Sequence, residues 1–429
     1  MTTSLDPFKY SIENPLIVIS GCTGTGKSDL GVAIAKQFNG EIINADSMQI
    51  YKGLDISSNK MTKEEMEGIP HHLLGFLEPT NSGYNVQNFR EDALEILNKL
   101  WAEHKLPVIV GGTAYYIESV IFDNNLIVTG DRGKGETIRE EILKEFPTVD
   151  TLYQELQRVD PETASELHRN NKHRVLRALE IYRTTGKTRS EHQKEQQKEA
   201  PEGYDHFYTR LRFKNTFLIN LDMEKDVLNE RLNKRVDKMM ERGLLKEYFG
   251  KVDKFGIMQI IGPKEFLPYL RLNIIGRNSI RGEHKIEECK EKLKTRNRQY
   301  AQRQRLWFYN RILNRGEHRE IPKTLALNSS KDFAEKLVPF ALKQVKQFLS
   351  GEEIDDEKKC NGLLYKLPPL GDMFKQEDYM ENRKKIFLCD ICGTEIQGKM
   401  HWKKHLEGRK HKNNLEKIKK KKGRNDNQG

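Results

Sequence analysis

The feature that most constrains the fold of this chain is a glycine-rich signature near the start of the sequence. The segment "GCTGTGKS" at 21–28 fits the pattern G-x-x-x-x-G-K-S and lies between an apolar, β-branched run and a stretch with helical spacing of apolar residues. In this setting backbone N–H groups point at phosphate oxygens, the Lys27 ammonium reaches a terminal phosphate, and the Ser28 hydroxyl can bind Mg²⁺. The signature therefore predicts a phosphate-binding loop between a strand and a helix.

Further apolar runs predict the rest of a parallel sheet. Three of them, at 41–46, 106–113 and 216–222, are short and rich in β-branched residues, with helical sequence between them. Strands that alternate with helices indicate a three-layer α/β fold. We therefore predict a P-loop NTPase-like parallel sheet with a helical insertion, plus a small C-terminal Cys2His2 zinc finger.

Shifts in composition divide the chain into seven segments. Charged helical sequence replaces the strand pattern after residue 129, and breakers such as "KLPPLGD" weaken the pattern after residue 330. The predicted segments are an N-terminal extension (1–14), the first part of the P-loop core (15–129), a helical insertion (130–207), the core completion with arginine-rich helices (208–330), a linker (331–385), a matrin/U1-like Cys2His2 finger (386–413) and a lysine-rich tail (414–429).

Positive charge is concentrated at the C-terminus. The formal net charge is +11, and residues 399–429 hold twelve lysines and arginines against three acidic residues. Such an arm is typical of nucleic-acid binding or of a nuclear import signal, and a solubilising tail is the alternative. Because no run of 18 apolar residues or targeting sequence is evident, we expect no membrane association and a cytoplasmic protein, with nuclear and mitochondrial pools left open.

Four residues near the C-terminus have the spacing of a zinc site. Cys389-x2-Cys392 is followed after twelve residues by His405-x5-His411, which is a Cys2His2 ligand set. The total of five cysteines argues against a disulfide framework. The long spacing between the histidines is similar to that of fingers frequent in RNA-binding proteins, and protein docking is the alternative. We expect the small core of the finger to contain Phe387, Trp402 and Leu406.

The second predicted strand ends in a candidate general base. Asp46 lies at its carboxyl end, where ligands collect in open α/β sheets, and Ser47 and Gln49 beside it offer hydrogen bonds. The alternative is that Asp46 caps a helix. Thr113, at the end of the next strand in "GGT", is expected at the same edge of the sheet, although alone it would also fit a simple turn.

The loop by itself does not identify the phosphate that it binds. A nucleoside triphosphate would be hydrolysed or would donate a phosphoryl group. A pyrophosphate ester would fit equally, and its pyrophosphate would depart while the loop and Mg²⁺ stabilise the leaving charge.

Eight stretches together resemble the tRNA dimethylallyltransferases, also called tRNA isopentenyltransferases. They occur in the order of that family between residues 16 and 309, and the Asp-Ser-x-Gln element beside the phosphate-binding loop is the most specific. The stretches are "GCTGTGKS", "NADSMQIYKGLDISSNK", "GIPHHLL", "VGGTAYY", "HRVLRALEIYRTTGK", "RVDKMMERGLLKE", "QIIGPKEF" and "TRNRQYAQRQRLWF".

The resemblance implies that a dimethylallyl group moves from dimethylallyl diphosphate to N6 of the adenosine at tRNA position 37, releasing pyrophosphate. It makes Asp46 the base that takes the N6 proton, places Thr113 beside it, and puts Mg²⁺ at Ser28. The diphosphate contacts implied are Gly21, Thr23, Gly24, Thr25, Gly26, Lys27, Ser28 and Arg235.

The same resemblance implies contacts with a tRNA anticodon stem-loop. The target base must be extruded, because N6 of a stacked base is out of reach of a side chain. The implied contacts are Asp46, Ser47, Met48 and Gln49 with the adenosine, and His173, Arg174, Arg177, Arg298, Gln299 and Arg303 with the rest of the tRNA. We expect the enzyme to be a monomer.

Two other functions are compatible with parts of the sequence. An isopentenyltransferase acting on free AMP or ATP would share the loop and Asp46 but would not need an arginine-rich helix or a finger. A P-loop kinase or NTPase with an RNA-binding module would place a Walker-B carboxylate after an apolar strand, whereas "VIVGGT" ends in threonine. The arginine-rich helix with the finger and the strand that ends in threonine both favour tRNA prenylation.

Overall fold

The computed structural model describes residues 10–81, 83–123, 126–127, 134–198, 209–249, 258–313, 320–330, 332–354 and 385–425. The chain forms two compact units. The first comprises residues 1–126 and 201–367, and the second comprises residues 127–200 and 368–429. Most of the predicted N-terminal extension, residues 355–384 of the predicted linker and the last four residues of the predicted tail lie outside the described ranges.

A six-stranded sheet in the first unit confirms the predicted α/β fold. All its strand pairs are parallel, and the order is β3-β2-β4-β1-β5-β6. In the central strand, Ile17 pairs with Val108 on one side and Phe217 on the other. The strands are β1 (Leu16–Gly21), β2 (Gly40–Asn44), β3 (His71–His72), β4 (Leu106–Val110), β5 (Thr216–Asp222) and β6 (Lys323–Asn328).

Helices account for most of the remaining described chain. In chain order they are α1 (Lys27–Gln37), α2 (Val86–Ala102), α3 (Ala114–Ile121), α4 (Lys134–Glu145), α5 (Val149–Val159), α6 (Pro161–Glu166), α7 (Lys172–Thr185), α8 (Arg189–Lys198), α9 (Lys225–Glu241), α10 (Leu244–Tyr248), α11 (Pro263–Leu270), α12 (Ile274–Arg277), α13 (Ile280–Phe308), α14 (Val338–Leu349), α15 (Lys399–Glu407) and α16 (Arg409–Asn425). Two π-helical turns, at Tyr309–Leu313 and Phe333–Leu337, directly follow α13 and precede α14.

Helices cover both faces of the sheet, which explains why β1 is apolar along its whole length. Ile17 and Ile19 face a core shared with α1 and α14, whereas Leu16 and Val18 face a core shared with α2 and α3. Every residue of β1 is buried. This three-layer arrangement brings the carboxyl ends of β1, β2 and β4 to one edge of the sheet.

The prediction that residues 331–385 form a linker is wrong for the first part of this segment. The turn at Phe333–Leu337 and helix α14 belong to the core of the first unit, and Leu337, Ala341 and Val345 in this segment have no exposed surface. The sheet also continues to β6, a strand that the sequence analysis did not identify. Its signal was an alternation of small and apolar residues that buries Leu325 and Leu327.

The second unit contains helices of the insertion and the C-terminal module. Helices α4 to α7 share a core that includes Leu152 and Leu179. The antiparallel strands β7 (Ile386–Cys389) and β8 (Thr394–Gln397) form a hairpin, followed by α15 and α16. Gln397 of the hairpin donates a hydrogen bond to the carbonyl of Glu166 at 2.6 Å, so the module contacts the end of α6. Because α16 extends to Asn425, most of the predicted lysine-rich tail is helical.

Candidate active site

A cavity of about 700 Å³ opens at the carboxyl ends of β1, β2 and β4. It is bordered by the glycine-rich loop, the end of β2, the turn after β4 and one side of α9. Its polar lining includes Thr23, Lys27, Ser28, Asp46, Gln49, Arg231 and Arg235. The glycine-rich loop and Asp46, more than fifteen residues apart in the chain, thus contribute to one cavity.

The glycine-rich loop folds around the carbonyl of Cys22. The Thr25 hydroxyl and the Lys27 ammonium each donate a hydrogen bond to this oxygen at 2.8 Å. Gly26 has a φ of +86°, and a Cβ there would lie 2.7 Å from the ring of Phe333, so both its backbone and its surroundings require glycine. The strand, loop and helix have the order that phosphate-binding loops need, and the N-terminus of α1 faces the cavity with Lys27 and Ser28.

Of the eight residues predicted to contact the diphosphate, six line this cavity. Gly21 and Thr25 do not, since Gly21 ends β1 and Thr25 is wholly buried beneath the loop. The lining residues are Thr23, Gly24, Gly26, Lys27, Ser28 and Arg235.

Arg235 reaches the loop from α9. Its guanidinium donates to the Thr23 hydroxyl at 2.6 Å and to the Asn297 side chain of α13 at 3.4 Å. Burial lowers the pKa of Arg235 to about 10, and the nearby carboxyl of Asp46 opposes that shift. The cation is therefore fixed at the cavity wall by two helices.

Asp46 also faces the cavity, directly after β2. One of its carboxyl oxygens accepts a hydrogen bond from the backbone N–H of Met48 at 2.9 Å. The alternative that Asp46 caps a helix is wrong, because residues 47–50 form a turn and not a helix. Burial raises the pKa of Asp46, while the Met48 N–H, Lys27 and Arg235 act in the opposite direction.

Thr113 connects the turn after β4 to the segment that holds Asp46. Its hydroxyl accepts from the backbone N–H of Ser47 at 3.0 Å and donates to the Ser47 hydroxyl at 3.2 Å. Gln49 donates its amide to the carbonyls of Ser58 and Asn59, at 3.1 and 3.3 Å. These contacts fix the backbone on both sides of Met48.

The residues predicted to contact the rest of the tRNA belong to the two different units, and none lines the cavity among the described residues. On α13, Arg298 donates to Asn233 at 2.5 Å, and the exposed Arg303 lies 6.0 Å from the ring of Tyr300. Gln299 is exposed on the same helix. On α7, His173 and Arg174 are exposed, whereas Arg177 pairs with Glu180 at 2.8 Å. These assignments stay predictions.

The C-terminal module brings four potential metal ligands together. The side-chain ligand atoms of Cys389, Cys392, His405 and His411 all lie within 4.8 Å of one another. Nδ1 of His411 lies 3.4 Å from Sγ of Cys389, 3.6 Å from Sγ of Cys392 and 3.2 Å from Nε2 of His405. The three distances from His411 are close to the edges of a tetrahedron with Zn–S bonds of about 2.3 Å and Zn–N bonds of about 2.0 Å. The residues therefore fit a zinc ion.

The aromatic core expected for this module is found in part. The rings of Phe387 and Trp402 stack with centroids 5.3 Å apart, and Trp402 also stacks on His405. Leu406 is 38% exposed and does not contribute as expected.

Sequence reasoning missed two residues that shape the active-site cavity. Phe333 lines it from the segment that was interpreted as a linker, and Asn297 holds Arg235 from α13. Neither residue belongs to a motif, because each acts through contacts with segments far away in the sequence. Only the predicted helical register of the arginine-rich stretch could have placed Asn297 on the inner face.

Comparison with known proteins decides the family. The family model described as IPP transferase matches residues 49–311, and the one described as Isopentenyl transferase matches residues 14–77. The mouse tRNA dimethylallyltransferase is 33% identical over 422 residues, covering 94% of this chain and 86% of the mouse protein. The chain belongs to the tRNA dimethylallyltransferase family. The tRNA dimethylallyltransferase of Bacillus licheniformis is 42% identical over 303 residues, covering 70% of this chain and 88% of its own.

A solved structure supports the same assignment. It is described as crystallographic snapshots of a eukaryotic dimethylallyltransferase acting on tRNA, and it matches 97% of this chain and 100% of its own with 31% identity and a TM-score of 0.75. The resemblance found in the sequence is thus confirmed. The protein is a prenyltransferase that transfers a dimethylallyl group to tRNA. None of its described helices is long and apolar enough to cross a membrane.

Proposed function

We propose that this tRNA dimethylallyltransferase uses dimethylallyl diphosphate as donor and modifies N6 of adenosine 37, next to the anticodon, releasing pyrophosphate. The observation that carries this proposal is the meeting of a glycine-rich loop, two partly buried cations and a partly buried carboxyl group in one cavity. The cations Lys27 and Arg235 suit a diphosphate, and Asp46 suits the removal of a proton.

The chemical step needs both halves of this cavity at once. The N6 nitrogen forms a bond to the first carbon of the dimethylallyl group while the bond from that carbon to the diphosphate oxygen breaks. Asp46 accepts the proton that N6 loses, and Lys27 and Arg235 stabilise the negative charge that collects on the departing pyrophosphate. Thr113 holds the backbone beside Asp46 through its two hydrogen bonds with Ser47.

A magnesium ion would fit at the loop. The Ser28 hydroxyl lines the cavity at the start of α1, and a hydroxyl with diphosphate oxygens is a ligand set that Mg²⁺ accepts. The ion would supply further positive charge to the leaving group. Zinc in the C-terminal module would have a structural role, since four protein ligands close its coordination sphere.

Exposed and half-buried basic residues of the two units would bind the tRNA backbone. In the first unit these are Arg298 and Arg303 on α13, with Gln299 between them. In the second unit they are His173 and Arg174 on α7, with Arg177, and the exposed Lys403, Lys404, Lys412 and Lys417 of α15 and α16. Phosphate contacts of this kind position an RNA without reading its bases. The finger therefore serves tRNA binding in this proposal.

One assay separates the proposal from its rivals. The enzyme is incubated with labelled dimethylallyl diphosphate and, separately, with tRNA, AMP or ATP. We expect label only in tRNA, on the adenosine next to the anticodon, with one pyrophosphate released per label transferred. Label in AMP or ATP would favour a free-nucleotide isopentenyltransferase. Release of ADP when ATP is added to the reaction with tRNA would favour a kinase or NTPase.

A further inference from the structure

Gln304, on the buried side of α13, joins two segments of the active-site cavity. It is 7% exposed. Its side-chain oxygen accepts a hydrogen bond from the backbone N–H of Thr23 at 2.9 Å, and its side-chain nitrogen donates to the carbonyl of Gly112 at 3.0 Å. If the side-chain amide were rotated by 180°, its NH2 group would face the N–H of Thr23 and its oxygen would face the carbonyl of Gly112. The two partners therefore determine the orientation of the amide.

The close approach depends on glycine at position 112. A Cβ on Gly112 would lie 2.3 Å from the nitrogen of Gln304, which is far inside van der Waals contact. The "GGT" turn therefore has a reason for its second glycine that is specific to this helix. The sequence placed this turn at the sheet edge without indicating what approaches it.

The two segments joined by Gln304 hold the two halves of the chemistry. On one side, the Thr23 hydroxyl accepts from Arg235 at 2.6 Å within the diphosphate loop. On the other, Gly112 precedes Thr113, whose hydroxyl accepts from the backbone N–H of Ser47 beside Asp46. A single amide thus links the loop that holds the leaving group to the segment that holds the base.

We propose that Gln304 is a positioning residue that sets the distance between the diphosphate and Asp46. This proposal rests on the proposed function of the cavity. The distance matters because both groups must act in the same step, and a misplacement of about 1 Å can cost about 10²-fold in rate. The binding of either substrate alone does not depend on the distance between the diphosphate and Asp46.

The test is a Gln304→Glu variant, which has nearly the same shape. The carboxylate still accepts from Thr23, but it places an unprotonated oxygen against the Gly112 carbonyl. We expect the single-turnover rate with saturating tRNA and dimethylallyl diphosphate to fall about 10²-fold at pH 8, with both dissociation constants changed less than about threefold. The ratio of variant to wild-type rate should rise as the pH is lowered, because a protonated carboxyl group can donate to Gly112 again.

Two further variants separate positioning from stability. Gln344→Glu introduces the same change at a fully buried glutamine of α14, and it should lower the melting temperature without changing the rate ratio at any pH. Gln304→Met keeps the side-chain length but neither hydrogen bond, and it should be slow without recovery at low pH. The proposal would be overturned if both Gln304 variants reacted at rates within twofold of wild type. It would also be overturned if the loss of rate in each variant only followed the decrease in its melting temperature. A wild-type enzyme that fails to label tRNA would instead refute the proposed function, and this proposal with it.

Discussion

Individual residues around the cavity are held in charge states that burial opposes. Burial lowers the pKa of Lys27 and brings that of Arg235 to about 10, and it raises the pKa of Asp46. Asp46 is near both cations, and a diphosphate would add further negative charge beside them, so its binding is favoured by groups already in place. Such preorganisation avoids reorientation during the reaction and is a large source of rate enhancement.

Lys27→Ala tests the role of this cation. Because its charge meets the diphosphate both before and during the reaction, the variant should show a higher KM for dimethylallyl diphosphate and a lower kcat. Lys36→Ala is a matched control, since Lys36 lies on the same helix but is exposed and paired with Glu67. Steady-state kinetics in which both variants match the wild type would remove Lys27 from the diphosphate site.

The raised pKa of Asp46 predicts the acid side of the pH profile. A general base acts only when deprotonated, so kcat/KM should fall as the pH falls through the pKa of Asp46. Because burial raises that pKa, the fall should begin above the ordinary aspartate value of about 3.9. The measurement is kcat/KM against pH, with circular dichroism at each pH to confirm that the enzyme stays folded. A constant rate in a folded enzyme down to that ordinary value would argue against Asp46 as the base.

At the scale of elements, helix α13 organises the site. Along its inner face, Asn297 contacts Arg235, Gln304 contacts the loop and the "GGT" turn, and Arg305 forms a salt bridge with Asp222 at the end of β5. The arginine-rich composition of this helix indicated RNA binding, but part of its polar surface contacts the candidate site and the end of β5. Trp307 near the end of this helix is 47% exposed, whereas Tyr309 in the turn that follows is buried.

A feature of the structure could be predicted from the sequence when the residues that encode it are close together in the chain. The glycine-rich loop, β1 and Asp46 were predictable because each is encoded within about ten consecutive residues. The four candidate metal ligands were predictable because all of them lie within a short stretch of the chain at a recognisable spacing. Phe333 and Gln304 were not, since they act on a loop about 300 residues earlier in the chain. Strand β6 was missed because its alternation of small and apolar residues is a weaker signal than the continuous apolar runs of the other predicted strands.

Helix α14 offers a test of the corrected boundary of the core. Val345→Asp would bury a carboxylate on the sheet face, and we expect it to lower the free energy of unfolding by several kcal/mol. Lys346→Gln, on the exposed side of the same helix, should change it by less than about 0.5 kcal/mol. Denaturant unfolding measures both. Equal stability of the two variants would restore the interpretation of this segment as a linker.

At the scale of the whole molecule, the candidate site and most of the net positive charge belong to different units of the chain. The first unit holds the cavity, while residues 399–429 of the second unit carry most of the net charge. This division explains why composition alone indicated nucleic-acid binding and the motifs indicated the reaction. The comparison with relatives covers both units, since the mouse protein aligns with 94% of the chain.

Removal of residues 385–429 should weaken tRNA binding without impairing the chemical step. For each tRNA phosphate that the truncated enzyme no longer neutralises, the slope of log affinity against log salt should become shallower by about 0.7 to 0.9. We expect a higher KM for tRNA and a shallower salt dependence, while kcat and the KM for dimethylallyl diphosphate change little. Binding measured at several salt concentrations decides this. Equal affinity and equal slope in the full-length and truncated enzymes would show that the module binds another partner.

The most direct test of the account is the single-turnover rate of an Asp46→Asn variant. Asparagine has the same shape and retains an acceptor for the Met48 N–H, but it cannot take the N6 proton. The account predicts that tRNA and dimethylallyl diphosphate bind with dissociation constants within about threefold of wild type, while the rate of prenyl transfer falls about 10²- to 10⁴-fold, the usual contribution of a general base. A variant that transfers the dimethylallyl group at nearly the wild-type rate would contradict it.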